Sequence, residues 1–550
     1  MTPSLSFLFS LLIPLPALAA ATPQVQLGDT ILLGRDIPSF QQDFFGGIPY
    51  AEYRRLQPPV LKSSIDTMTG IFDASNFGPA CLQINLPASR VSEDCLTINI
   101  VRPSNLPENA SLPVMFWTYG GGFHSGTGAQ HNGSVIVEQS VRRGTPVIYI
   151  NFNYRLGPLG FPQGQEAADK GALNLGLEDQ HVALDWVKSN VRVFGGDPDK
   201  VTVFGHSAGS IMTSIQYLNP DFANLARAAI FQSGYQATSP IFPPQYRQAD
   251  WDKFVSNIPE CASSTNSSFD CLQSANVTSE SLIQAMAAVT DNNGIGQWAP
   301  VLDGPQGFLP DLPSNLYKAG RFARMPFIAG TELDEGTSFV PPTGLPFTDA
   351  SMKQFILAIY APPLPPYTLA NLSSAADKLV QLYPDVPALG SPFGTGNETF
   401  GLDPGFKRFA ALFGDLNFQS LRRLWINTAT SAGVQAYGYE FTQPQDNGNA
   451  SYLGVSHSSL VSYVYGTIPS DSSASDIKIS QTIIEYWVSF ATSLNPNDGK
   501  GIDRPIWREY KPESDEIIIQ LNGNDTVLIP DTYRADQIDF INEKPGLFHH

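Results

Sequence analysis

The feature that most constrains the fold is a β-like apolar run, residues 201–204, that passes without a spacer into Gly205-His206-Ser207-Ala208-Gly209. A serine flanked in this way by glycines belongs on a sharp strand-to-helix turn, because a side chain at either glycine would collide there. Such a turn lifts the hydroxyl to the top of a sheet and sets a helix N-terminus behind it. It therefore asks for strands followed by helices, an α/β architecture. With 46 glycines in the chain, the pentapeptide alone is weak, and an ordinary strand–turn–helix competes with it. The β-run before it and the small residues after it give it weight.

Other stretches agree. Near-continuous apolar runs over 114–119, 147–151, 228–232, 327–329, 434–441 and 517–521 read as strands covered on both faces. Between them lie helical patterns. Residues 178–194 place Val182, Trp186, Asn190/Val191 and Phe194 on one stripe and end at Gly195-Gly196-Asp197-Pro198. Residues 480–493 place Ile483, Ile484, Trp487 and Phe490 on one side and stop at Asn495-Pro496. A Pro-rich and then helical stretch over 340–424 reads as an insertion above the sheet. No internal repeat or low-complexity linker divides the chain. The expected fold class is α/β, with a large, mostly parallel central sheet flanked by helices and helical insertions above it.

A serine hydroxyl is a weak nucleophile and needs a base to take its proton. Seven histidines are present. In a sheet of this kind the order along the chain is serine, acid, histidine, and only His457, His549 and His550 follow Ser207. The last two are terminal and expected to fray, so His457, in Gly454-Val455-Ser456-His457-Ser458-Ser459, is the base by elimination. The acid lies between, on a loop after a strand. The run 325–330 opens into Thr331-Glu332-Leu333-Asp334-Glu335-Gly336-Thr337, where Glu332, Asp334 and Glu335 all qualify by spacing. Three carboxylates in one loop also suit a solvated surface.

The third element is Tyr119-Gly120-Gly121-Gly122-Phe123, which closes the 114–119 strand. Glycines let the backbone approach a ligand and aim N–H groups at it. The expected oxyanion donors are the N–H groups of Gly121, Gly122 and Ala208, each worth about 3 kcal/mol in a barrier. A phosphate cradle would need the Lys-Ser/Thr of a P-loop, which is missing.

The formal charge of −19 argues against nucleic acid and anionic membranes as partners, since both call for a basic face. Residues 1–19 read as a signal peptide, with a short apolar run over 5–12 and Ala17-Leu18-Ala19 before the cleavage point, although no Lys or Arg precedes the run. No later stretch is long and apolar enough to span a bilayer, so a secreted, extracellular protein without a stable membrane anchor is expected. Asn-x-Ser/Thr sequons at Asn109, Asn132, Asn266, Asn276, Asn371, Asn397, Asn449 and Asn524 suit export. Four cysteines fall in two close pairs, Cys81 with Cys95 and Cys261 with Cys271. Neither pair has metal-ligand spacing, so disulfides are favoured, with no metal and no cofactor. Closing the 81–95 loop would contribute about 3 kcal/mol.

Taken together these residues resemble the type-B carboxylesterase/lipase family, which includes cholinesterases and secreted fungal lipases. Further stretches carry the likeness: Phe45-Gly46-Gly47-Ile48-Pro49-Tyr50-Ala51-Glu52, Glu93-Asp94-Cys95-Leu96-Thr97-Ile98-Asn99-Ile100, Asn153-Tyr154-Arg155-Leu156-Gly157, and Phe194-Gly195-Gly196-Asp197-Pro198. The resemblance implies one domain over 20–550. It implies Glu335, from Asp-Glu-Gly-Thr, as the acid, and supports His457 and both disulfides. Three departures stand out. His206 replaces the glutamate usual before the nucleophile, which removes a carboxylate from beside the site. The Cys81–Cys95 loop, which in relatives carries a lid or a choline-binding tryptophan, is short and has no Trp. The export signal lacks its basic start.

The function expected is a serine carboxylic ester hydrolase that works through an acyl-enzyme, with Ser207, His457 and Glu335 as triad and broad esterase or lipase-type substrates. A lipase or steryl/carotenoid ester hydrolase at lipid interfaces, or a feruloyl esterase, is the alternative. Phe339, four residues past Glu335, is a candidate acyl-pocket wall or a plain core residue. A non-catalytic adhesion relative would lack triad members. An NAD-binding enzyme would need a G-x-G-x-x-G turn that Gly120-Gly121-Gly122 does not supply.

Overall fold

The strand that delivers Ser207 lies in the middle of an eleven-stranded sheet. The structure is a computed structural model and describes residues 22–262, 267–289, 296–512 and 515–550. The expected signal peptide and the sequon at Asn266 lie outside these residues. The strands, in chain order, are β1 (Arg35–Ile37), β2 (Gln42–Pro49), β3 (Thr97–Pro103), β4 (Leu112–Thr118), β5 (Ile148–Phe152), β6 (Gly196–His206), β7 (Ala228–Gln232), β8 (Phe327–Glu332), β9 (Ala436–Phe441), β10 (Ile517–Leu521) and β11 (Val527–Pro530). Their order across the sheet is β11-β10-β9-β8-β7-β6-β4-β5-β3-β2-β1. The pairings from β5 through β10 are parallel and those at the two edges antiparallel.

Every residue of β5, β7, β8 and β9 is buried, which is why these strands read as unbroken apolar runs. Some polar side chains inside them are paired: Asn151 Oδ1 accepts from Asn99 Nδ2 at 2.8 Å, and Gln232 Nε2 donates to the Gly205 carbonyl at 3.2 Å. Strand β2 breaks the pattern. Gly46 and Gly47 form a bulge opposite Asn99, with Gly47 at φ 64° and its N–H bonded to Asn99 Oδ1 at 2.9 Å.

Helices cover the sheet. Helix α1 (Leu175–Asn190) packs behind β6 and buries Ala183, Leu184, Trp186 and Val187; of the expected stripe, Trp186, Val191 and Phe194 are buried and Val182 is half-buried. A tighter turn, Val191–Phe194, follows it and stops at Gly195, φ 85°, the left-handed terminator that glycine allows. Helix α2 (Ala208–Gln216), buried throughout, starts immediately after Ser207. The insertion is helical as expected: α3 (Asp349–Tyr360) and α4 (Leu369–Leu382) pair with each other, and α5 (Phe406–Gly414) runs through a wide π-turn, Asp415–Gln419, into α6 (Ser420–Ser431). Met352, Ile356, Leu372, Leu379, Phe409 and Phe413 form an apolar cluster distinct from the one on the sheet. Helix α7 (Ala474–Ser493) begins six residues earlier than its periodic stripe suggests, because Ser473 and Asp476 cap it reciprocally.

Disulfides join Cys81 to Cys95 and Cys261 to Cys271, with Cα–Cα separations of 5.0 and 5.8 Å. The seven described sequon asparagines are all exposed. Among the described residues, no helix is long and apolar enough to cross a membrane. The expectation of a frayed end is wrong. His549 and His550 are buried; the His549 ring sits between the carbonyls of Ile241 and Tyr360, 3.0 Å from each, and Ser314 Oγ holds the His550 carbonyl at 2.6 Å. Leu547 and Phe548 anchor this end in the insertion's apolar cluster.

Candidate active site

Ser207 stands between the last residue of β6 and the first of α2 at φ 53°, ψ −128°. A non-glycine residue in that region is strained by about 1–3 kcal/mol and persists only where its surroundings hold it. Here they do: the Ser207 N–H donates to the Gln232 carbonyl at 3.0 Å, and its carbonyl accepts from Ile211 at 2.9 Å. The flanking glycines are needed for the reason the sequence suggests. A Cβ on Gly205 would lie 2.7 Å from the Gly209 carbonyl, and one on Gly209 would strike the Thr118 carbonyl. Gly120 is just as constrained, since a Cβ there would come within 2.9 Å of Ser207 Cβ.

Gly121 (φ 106°) and Gly122 (φ 61°) follow β4 in conformations that favour glycine. They line a cleft of about 570 Å³ together with Ser207, His124, Phe339 and His457. Ala208 opens α2, so its N–H has no acceptor within the helix and is free for a ligand.

His457 sits on the loop after β9. Its Nδ1 lies 2.6 Å from Glu335 Oε2, and its ring is wedged between Phe339 and Phe418, each 5.0 Å away between centroids. Its Nε2 is buried and has no hydrogen-bond partner among the described residues. Ser207 Oγ and His457 Nε2 are not hydrogen-bonded to each other; they share the wall of one cleft. A catalytic hydrogen bond that closes only around substrate is common. Burial lowers the basicity of His457, and the charge of Glu332 works the other way.

The three acids of the loop after β8 separate cleanly. Asp334 is turned away and acts as a clamp: it accepts from Ser391 Oγ (2.8 Å), Phe393 N–H (2.8 Å) and Val455 N–H (2.9 Å). Glu335, fully buried, accepts the Glu332 N–H on Oε1 at 2.9 Å and faces His457 with Oε2. Burial, then the charge of Glu332, push its proton affinity up, which makes it a stronger acceptor for the imidazole N–H. Glu332 is also fully buried, with Oε2 3.8 Å from the same Nδ1 and Oε1 3.7 Å from His206 Nε2. The site therefore keeps a second carboxylate, although His206 takes the usual place of one. This pair is what sequence reasoning missed; Phe418 is another, hidden in the π-turn. His206, Glu332 and His457 bring three donor atoms within 4.8 Å, but His457 Nδ1 is committed to Glu335, so the group reads as two imidazoles gathered on one carboxylate rather than as cation ligands.

Phe339 stacks on Phe413 and Phe418, at 5.1 and 5.5 Å between centroids, and reaches the cleft. Beside it, a small lobe of about 50 Å³ opens off Ser207, lined in part by Phe123, Ile211, Phe339, Phe413 and Phe418.

Comparison with known proteins places these features in context. The profile of the carboxylesterase family matches residues 21–541. Lipase 2 of Geotrichum candidum is 29% identical over 99% of this chain and 100% of its own length. The secreted triacylglycerol lipase LIP1 of Gibberella zeae is 30% identical over 92% of this chain and 87% of its own. Among solved structures, EstA of Aspergillus niger superposes with a TM-score of 0.82 at 24% identity, covering 96% of this chain and 99% of that one, and shares the α/β-hydrolase fold.

Proposed function

The chain belongs to the carboxylesterase family and is a serine carboxylic ester hydrolase, and from that premise we propose that Ser207, His457 and Glu335 carry the reaction. The observation behind this reading is the 2.6 Å contact of Glu335 with His457 Nδ1, beneath a cleft that a strained serine also lines. Ser207 Oγ attacks the ester carbonyl while His457 Nε2 takes its proton. Glu335 holds the Nδ1–H tautomer and stabilises the imidazolium. The tetrahedral oxyanion accepts from the N–H groups of Gly121, Gly122 and Ala208. On collapse His457 returns the proton to the alcohol, and water repeats the sequence on the acyl-enzyme.

The substrate reading is a broad esterase that favours short acyl groups. The lobe of about 50 Å³ beside Ser207 is small against the roughly 150 Å³ of a cavity that takes benzene, which suits a short acyl group. Phe339 is its candidate wall. The Cys81–Cys95 loop is fixed as well as short: Gln83 exchanges hydrogen bonds with the Gly126 backbone at 2.9 and 3.0 Å, beside the Gly-rich turn. That argues against a mobile lid built from it. The relatives named lipases favour the second reading, hydrolysis at a lipid interface.

We place the protein outside the cell, with residues 1–19 removed as a signal peptide and residues 20–550 as one hydrolase domain. The two disulfides and the relative named a secreted lipase support this, and the exposed asparagines at 109, 132, 276, 371, 397, 449 and 524 suit glycans. The triad is tested by Ser207→Ala, for which kcat should fall by about 10⁶-fold with the fold intact by circular dichroism. Normal turnover in that variant would refute it.

A further inference from the structure

Glu332 has no place in the three-residue mechanism, yet it is among the most heavily engaged carboxylates in the protein. Its Oε1 accepts the Leu460 N–H at 3.0 Å and faces His206 Nε2 at 3.7 Å. Its Oε2 accepts Ser233 Oγ at 2.9 Å and the Ser458 N–H at 3.2 Å, and faces His457 Nδ1 at 3.8 Å. Three donors and two imidazoles around one fully buried carboxylate describe a group built to stay charged. Burial opposes that charge, but His206 first, then His457 and the Leu460 N–H, outweigh it and hold Glu332 down to about 2. The His206 and His457 rings lie 4.7 Å apart between centroids, and His206 Nε2 is buried without a hydrogen bond.

We infer that His206 and Glu332 form a second imidazole–carboxylate couple behind the triad, in which Glu332 shares with Glu335 the stabilisation of His457 and His206 sets how much of that charge His457 feels. The inference rests on the reading of Ser207 and His457 given above. Both are positioning residues, because neither lines the cleft that Ser207 and His457 share. The logic is electrostatic. When His457 takes the serine proton it becomes a cation in a dry site, and a fixed anion 3.8 Å from Nδ1 favours that state at no reorganisation cost. The His206 imidazole faces the other oxygen of the same carboxylate at 3.7 Å and draws on it from that side. The other titratable groups around the cluster are Glu335, His131, Tyr235 and Tyr439. Burial pulls His131 down to about 4 and pushes both tyrosines up, so above about pH 5 those three stay neutral, and Glu335 belongs to the triad.

The test is the pH dependence of kcat/KM for p-nitrophenyl butyrate in the full-length wild type and in Glu332→Gln, Glu332→Asp and His206→Gln. Active enzyme is counted by titration with diethyl p-nitrophenyl phosphate, and the labelled residue is identified by mass spectrometry. Removing the anion disfavours the His457 cation, so Glu332→Gln should lower kcat about 10- to 100-fold with little change in KM. It should also move the acidic limb to lower pH by about half a unit or more. Glu332→Asp should move it the same way by less. His206→Gln frees the anion for His457 alone and should move the limb to higher pH. A purely structural role would not displace the limb in opposite directions. Limbs that stay put, or that shift the same way in Glu332→Gln and His206→Gln, overturn the inference; if Glu332→Gln does not fold, Glu332→Asp and His206→Gln decide. Label on a residue other than Ser207 would instead bring down the triad reading itself.

Discussion

Replacing Glu335 separates the two things a triad acid supplies, a tautomer and a charge. Glu335 Oε1 is fixed by the Glu332 N–H at 2.9 Å. In Glu335→Gln the amide oxygen must take that position, which turns the amide NH₂ toward His457 Nδ1. The imidazole is then forced to carry its proton on Nε2, the atom that should receive the serine proton. An acid-to-amide change that imposes the wrong tautomer costs about 10⁴ in kcat, or about 5 kcal/mol. Glu335→Ala has no such donor. It leaves Glu332 3.8 Å from Nδ1, where Glu335 had stood at 2.6 Å. At an effective dielectric of about 20, those distances correspond to about 4 and about 6 kcal/mol of attraction for an imidazolium. Glu332 makes its contribution in the wild type as well, so both variants forfeit the same Glu335 attraction; only the Gln variant adds the wrong tautomer, which sets the loss in the Ala variant below that of about 10⁴. The smaller residue should therefore be the better enzyme. The assay is kcat at pH 8 per titrated active site, with thermal denaturation to confirm that both variants fold. A Gln variant that equals or exceeds the Ala variant would refute the reasoning.

Two further outcomes follow from the same geometry. In a series of p-nitrophenyl esters, kcat/KM should peak at acetyl to butyryl and fall steadily by octanoyl, with no jump when an emulsion forms; a sharp rise above substrate solubility would transfer the assignment to an interfacial lipase. Stability should depend on pH through histidines buried neutral. His131 is pulled down to about 4, and His457 and His549 are lowered too, each mainly by burial. The unfolded chain binds protons that the native one refuses, so this contribution is present above about pH 6.5 and is lost as pH falls toward 4. His131 alone accounts for about 3 kcal/mol of it. Glu178 and Glu440, pushed up to about 7 by burial, act with the opposite sign, so the check is His131→Gln, whose denaturant midpoint should fall less than that of the wild type between pH 7.5 and 4.5; an equal fall would count against it.

The sequence disclosed what local chemistry dictates. Residues 228–232 and 517–521 are strands with the expected bounds, because β7 is wholly buried and β10 nearly so and each needs little but apolar side chains. The edges were less legible. β2 holds two glycines and a bulge whose logic is a hydrogen bond to Asn99, fifty-two positions away. Ser207 and the Gly121–Gly122 turn were visible because strain and close approach demand particular residues. The acid was not separable by spacing. What removes Asp334 is a set of partners at 391, 393 and 455, which only the folded chain gathers, and family likeness made the choice. His206 stood out as an oddity, but its meaning depends on Glu332, brought beside it by neighbouring strands. The buried ends of His549 and His550 gave no signal, since burial there comes from the insertion and from Ile241.

The Asp334 carboxyl ties the insertion, at Ser391 and Phe393, to the strap that bears His457, at Val455. Insertion and base thus share one anchor, next to the Glu332 and Glu335 contacts that also hold the strap. Lifting the insertion, whether by heat, a protease cut or a detergent, therefore takes away one of the holds on the strap that carries the imidazole. Such a molecule goes silent while its sheet is still standing, and it does not linger as an open, indiscriminate hydrolase.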